Sequence, residues 1–324
     1  MSVTITTGGV TMTGGGVTFV APPAPPSVAT AGWFSGGYTS VTFSTVNRII
    51  FATDTATASV RGPLSLARYG LAGSGTVNDG WFAGGQTTTL VSTVDRITYA
   101  TDTATASVRG PLSSARRYIS SASDSSTYSW IGGGIDVTLT PSYSSQVSRI
   151  TYATDTGSTS LRGPLSLARS GIDATGTSQY GWNMGGYTLG TTFVSIIDRI
   201  DYANDTATAS VRGPLSSAKY KAAAVTDSST YGWYAGGNPS TSVVDRVTYA
   251  TDTATATARG PLATARTEPA GTCDNTYGWI GGGVTSSYES SITRITYATD
   301  TATSTNRSYL SVARTFPAGS SGIQ

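Results

Sequence analysis

The chain has 324 residues, 38% of them hydrophobic but only 12% charged, and 20 Lys and Arg against 18 Asp and Glu leave a formal charge of +2. With no His and a single Cys, it can form no internal disulfide, no Cys–His or Ser–His–Asp nucleophile and no His-ligated metal centre. Charge this sparse offers no clustered basic face for a polyanion, and no apolar run approaches the roughly 18 residues of a membrane span, so neither nucleic acid nor membrane insertion is expected.

Residues 1–26 form a first segment, predicted to be a docking arm. Ser2-Val-Thr-Ile-Thr-Thr, Val10-Thr-Met-Thr and Val17-Thr-Phe-Val are short alternating stretches separated by Gly8-Gly9 and Gly14-Gly-Gly16. Pro22-Pro-Ala-Pro-Pro26 then reads as a semi-rigid polyproline spacer. Three strands this short cannot bury a core of their own. Val3, Ile5, Val10, Met12, Val17 and Phe19 are therefore expected to join another chain, or copies of this one, by strand addition.

Residues 27–324 repeat one unit about every fifty residues, the period of β-propeller blades. Trp33, Trp81, Trp130, Trp182, Trp233 and Trp279 each precede a Gly-Gly pair. A variable stretch, an Arg-Ile-Thr-Tyr-like strand, an Asp-Thr turn and, in five copies, Arg-Gly-Pro-Leu follow. In the fourth copy, Tyr180-Gly-Trp-Asn-Met-Gly-Gly186 is predicted as a strand closed by glycines. Ser195 to Ala203 is a second strand and Asn204-Asp-Thr206 a turn. Thr208 to Leu215 is a third, with Pro214 marking an edge or strand end. Ser217 to about Val225 makes a fourth, so each unit is expected to be a four-stranded blade. Little before Trp33 resembles that fourth strand, whereas the chain ends on it, at Ala313-Arg314-Thr-Phe-Pro-Ala-Gly319. The C-terminus is thus predicted to supply the first blade's missing strand and close an all-β, six-bladed ring without an open edge.

The Gly-Gly doublet ending an early strand, the fifty-residue period and the aromatic at a fixed offset resemble the kelch family of β-propellers over about residues 27–324. Kelch units usually carry a Tyr and then a Trp after the glycines. Here Tyr99, Tyr152, Tyr202, Tyr249 and Tyr297, with Phe51 in the first copy, have no following Trp, and the Trp precedes the glycines instead. The resemblance implies a propeller scaffold; the absence of His removes the copper ligands of galactose-oxidase-type relatives. The wording Tyr-Ala-Thr-Asp-Thr-Ala-Thr-Ala-Ser-Val-Arg-Gly-Pro-Leu-Ser also resembles repeat proteins of marine bacteriophages, especially those of cyanobacteria.

Asp54, Asp102, Asp155, Asp205, Asp252 and Asp300 give one carboxylate per repeat. They are expected to cap their turns and pair with repeat arginines, among which Arg68, Arg116, Arg169, Arg266 and Arg314 are singled out, rather than to hold a cation. The tryptophans are expected to pack between blades, and Cys273 to be a small buried or half-buried residue. No catalytic residue, metal or cofactor is predicted. The stretch after Gly-Gly varies from Asn238–Val243 to Gly134–Val147 and carries Tyr38, Phe43, Tyr143, Tyr187, Phe193 and Tyr288. Exposed aromatics among Ser, Thr and Asn on one loop face suit a glycan or another protein.

These features point to a non-enzymatic structural or adhesion protein of a phage particle, tail- or fibre-associated or decorating the shell. It would dock on virion proteins or on itself through residues 1–26 and present the loop face to a host surface. A Lys-poor surface with no export signal suits release by lysis and a place on the particle exterior. The alternative is a free-standing glycan-binding lectin; a propeller lyase or glycosidase, which would need a distinct carboxylate pair, ranks third.

Overall fold

The computed structural model describes residues 2–6, 9–13, 29–190 and 192–322. Ser2–Thr6 and Gly9–Thr13 pair antiparallel, Ser2 opposite Thr13 and Thr6 opposite Gly9. The first two stretches of the arm thus use one edge of each strand on one another, where addition to another chain was expected for all three. Val17, Phe19 and the proline spacer lie outside the described residues.

Six four-stranded antiparallel sheets follow, one per blade. Blades two to six have their innermost strands at Ala72–Gly75, Ser120–Ser123, Asp173–Gly176, Ala223–Thr226 and Ala270–Cys273, and that of blade one is Ala318–Ser320. These six strands neighbour one another in a closed circle, and the C-terminal one sits between those of blades six and two. Ala318–Ser320 pairs with Ala31–Ser35, so the last strand completes the first blade as predicted. The blades are out of phase with the sequence unit by one strand. The segment after Ala-Arg, expected to be a unit's fourth strand, is the innermost strand of the next blade. Each repeat therefore reaches across one blade boundary, and the offset is what allows the chain's two ends to share blade one.

Each Trp lies directly opposite the Arg of the third strand, as in Trp33–Arg48 and Trp182–Arg199. The third strand runs into a single 3₁₀ turn such as Tyr99–Thr101, ended by Asp102. Side chains three apart on a 3₁₀ turn eclipse, so Tyr99 and Asp102 point the same way, toward the preceding blade. The apolar core is accordingly split into six clusters, each lying between two adjacent blades. The tryptophans are nearly inaccessible, from 0 to 5% exposed, and removing each from water stabilises by about 5 kcal/mol at about 200 Å² per side chain.

Both glycines of every doublet have positive φ, for example Gly36 at +68° and Gly37 at +116°, which explains why no other residue replaces them. The glycine of Arg-Gly-Pro is required for another reason. Its N–H donates to the carbonyl of the next blade's Asp at 2.7–2.8 Å, and a Cβ there would fall 1.8–2.0 Å from a backbone oxygen of that blade's turn.

Candidate functional site

Two interblade rings encircle the molecule, and they differ in chemistry. The first is a girdle of side chains. Asp102 accepts from Trp33 Nε1 at 3.0 Å and Arg48 Nη1 at 3.0 Å, and Arg61 Nε lies 3.5 Å from the same carboxylate. The same arrangement joins Asp155 to Trp81, Arg96 and Arg109, and it recurs at Asp205, Asp252 and Asp300. At the seam Asp54 reaches back to Trp279, Arg294 and Arg307, the last through Nε at 2.9 Å and Nη2 at 2.7 Å. Each Trp also stacks on the next blade's Tyr, or on Phe51 at the seam, with ring centroids 3.6–4.0 Å apart. Burial raises the pKa of the Asp54 carboxyl, but the bonds from Arg307 and Trp279 and the charges of Arg294 and Arg307 outweigh it and hold it below its ordinary value.

The aspartates' partners are therefore the two arginines of the third and outermost strands of the preceding blade. Arg68, Arg116, Arg169, Arg266 and Arg314, which were expected among the partners, lie elsewhere because they precede the innermost strand. Arg68 pairs with Asp95 and Arg169 with Asp198, each at 2.8 Å and fully buried, and Lys219 pairs with Asp245 at 3.0 Å. Arg116, Arg266 and Arg314 bond to carbonyls and to Ser148, Thr293 and Asn47 side chains among others. Burial lowers the pKa of Arg116 and Arg314 to about 10.

The second ring is made of backbone. Gly70, Tyr118, Gly171, Lys221, Glu268 and Phe316 stand at one position in successive blades, just before the innermost strand. Each donates its N–H to the carbonyl of its counterpart in the preceding blade, from Lys221 to Gly171 at 2.6 Å to Gly70 to Phe316 at 3.3 Å, and the circle closes. All six have φ between +51° and +66°. Glycine holds that conformation without cost, whereas Tyr, Lys, Glu and Phe are strained there by about 1 kcal/mol or more each. The glycines make room for their neighbours: a Cβ on Gly70 would meet the Tyr118 ring at 2.9 Å, and one on Gly171 the Tyr220 ring at 2.8 Å.

The four strained side chains gather at the mouth of the axial channel. Tyr118 and Phe316 have ring centroids 4.7 Å apart. Lys221 Nζ lies 4.6 Å from the centre of Phe316, 5.1 Å from Tyr118 and 5.2 Å from Tyr220, and pairs with Glu268 at 2.9 Å. The other Glu268 oxygen accepts from Thr315 Oγ1. Asp173, half-buried below them, accepts from the backbone N–H of Ala174 and Ala224, both at 2.9 Å. Burial pushes its carboxyl up to about 7 despite these two bonds.

Five of the six predicted loop aromatics connect to this mouth. Tyr143, Tyr187 and Phe193 form one group, with Tyr187 and Phe193 reaching Tyr220 at 5.2 and 5.0 Å. Tyr38 and Tyr288 line a groove with Glu268 and Phe316, and Tyr38 continues through Tyr69 to Tyr118. Phe43 is half-buried and joins neither group. Arg117 lies over Tyr118 at 4.6 Å and donates to the Tyr69 hydroxyl at 2.9 Å and to Gln86. The mouth residues themselves went unpredicted. Their signal is a column that reads Gly, Tyr, Gly, Lys, Glu and Phe two residues after the recurring Ala-Arg or Ala-Lys.

Cys273 is fully buried, and burial pushes its thiol up to about 12. Among the described residues no three His, Cys, Asp or Glu side chains converge as a metal set, and no helix is long and apolar enough to cross a membrane. Compared with models of known families and with curated proteins, the chain matches none.

Proposed function

We propose that this six-bladed propeller is a non-enzymatic structural and adhesion module of a phage particle. In this reading residues 1–26 attach it to other virion proteins, and the mouth face meets a glycan or protein of the host surface. The observation that carries the reading is the inequality of the blades. Where they pack they repeat the same residues, but at the mouth face they differ from one another and collect linked aromatics. A face whose side chains do not serve the ring, and are strained where they stand, supports recognition. The kelch-like and phage-like wording of the repeat supports the particle assignment.

Fractionating a lysate of the source and labelling purified particles with antibody-gold tests the proposal. Gold at fixed sites is expected, and loss of attachment when residues 1–26 are removed. A protein found wholly in the soluble fraction would overturn the particle assignment and leave the second reading, a free-standing lectin. That reading is favoured by the mouth lying entirely within the propeller, which should bind sugar equally well without the arm.

A further inference from the structure

The mouth of the axial channel is an open pocket with a cavity volume of about 60 Å³. Its lower wall is apolar, from Leu71, Ile119, Ile172, Pro269 and Pro317. Its rim is Tyr118, Lys221, Glu268 and Phe316, and Asp173 supplies a carboxyl further down. At the Asp173 position the other innermost strands carry Ala72, Ser120, Ala223, Ala270 and Ala318, so both polar layers occur once per molecule.

The chemistry narrows the ligand. The Lys221–Glu268 ion pair leaves the rim with no surplus charge for an ion, Arg117 lies outside the pocket lining, and burial keeps the Asp173 carboxyl neutral up to about 7. Both cations are also engaged, Lys221 by Glu268 and three rings and Arg117 by Tyr69, Gln86 and the Tyr118 face. A second cation would be repelled by Lys221, and an anion would meet the Glu268 carboxylate that already holds Lys221. What fits is a neutral molecule with one flat, weakly apolar face for the Tyr118–Phe316 wall and hydroxyls for Asp173 and Glu268. Aromatic faces carry partial negative charge, which attracts the polarised C–H bonds of a pyranose face.

We propose that this pocket binds one neutral sugar ring per chain, presented end-on. The proposal rests on the recognition face above and names its ligand. The ring stacks on Tyr118 and Phe316 while Asp173 and Glu268 accept from its hydroxyls. The strained residues are there because their side chains, not their backbones, are needed.

The test screens the full-length chain on a glycan array and titrates the strongest hit by calorimetry against wild type, Tyr118→Gly, Phe316→Gly and Asp173→Asn. The two glycine variants keep the backbone ring and relieve its strain, as at Gly70 and Gly171, and melting curves run beside the titrations confine the reading to folded protein. Expected are a stoichiometry near one per chain and binding at least ten-fold weaker in all three variants. A stoichiometry near six, or glycine variants that bind like wild type, would overturn the inference. If Tyr187→Ala loses binding while Phe316→Gly keeps it, the sugar sits on the outer aromatics; the axial site then fails and the recognition face stands. Binding to no glycan overturns the sugar assignment, and attachment of the protein to particles in the fractionation experiment would then leave the face to a protein partner.

Discussion

The girdle and the mouth are both closed circles of six interblade contacts, yet one is nearly invariant from blade to blade and the other is not. The difference lies in which atoms make the contact. In the girdle, side chains do: an indole N–H and two guanidinium groups converge on a carboxylate, and each residue type is needed for its own shape and charge. At the mouth the backbone makes the bond, which any residue can supply once it accepts positive φ. Where side chains hold blades together the sequence repeats, and where the main chain does so the sequence is released for other work.

The largest expected effect comes from removing the strand that closes the ring of blades. Deleting residues 313–324 removes Phe316 from the mouth and the innermost strand of blade one, and exposes the edge of Ala31–Ser35. Cooperative melting by near-ultraviolet circular dichroism should be lost, and an unchanged melt would show that the ring does not depend on its closing strand. Next is a single break in the girdle. Asp155→Ala strands Arg96 and Arg109 and the Trp81 N–H, and should destabilise by about 3 kcal/mol, the low end for a broken buried pair because the arginine heads reach solvent. Calorimetric melting measures the loss, and ligand binding by the folded variant should be unchanged; lost binding would mean that the girdle and the mouth are energetically coupled.

A pH-dependent effect belongs to the mouth. The Asp173 carboxyl keeps its proton up to about 7 in the folded protein, against an ordinary value of 3.8. Between these values the unfolded chain has released the proton and the folded one has not, so raising the pH favours unfolding. This contribution to stability is complete below about pH 4, declines through the window and levels off above about pH 7. Asp173→Asn cannot ionise, so its denaturation midpoint should fall less than that of wild type between pH 4.5 and 8. Parallel curves would mean that Asp173 is not held away from water.

The six-bladed ring and its closing strand were legible because the residues that build them are chemically demanding: tryptophan, paired glycines and aspartate recur at one spacing. The identity of each aspartate's partner was not. Three arginines per repeat were available, and only the cross-strand register of Trp with Arg, together with the direction imposed by the 3₁₀ turn, selects two of them and assigns them to the neighbouring blade. The phase of the blades was hidden for a related reason, since a repeat defines a period but no starting point. The loop aromatics could be found by their variability, and five of the six connect to the mouth. The mouth itself was hard to see because a main-chain bond leaves no residue signature, and its two glycines were diluted by Tyr, Lys, Glu and Phe in the same column.

The backbone circle also bears on how such a molecule can change. Six positions around one opening keep their main-chain bond whatever side chain they carry, and two already hold the minimal residue. Exchanging Tyr118, Lys221, Glu268 or Phe316 alters what the opening presents at a roughly constant conformational penalty, whereas a side chain at Gly70 or Gly171 would also have to displace the Tyr118 or Tyr220 ring. The scaffold thus behaves as a fixed instrument with four replaceable keys, and descendants of this chain could acquire new specificities one residue at a time without passing through an unfolded ancestor.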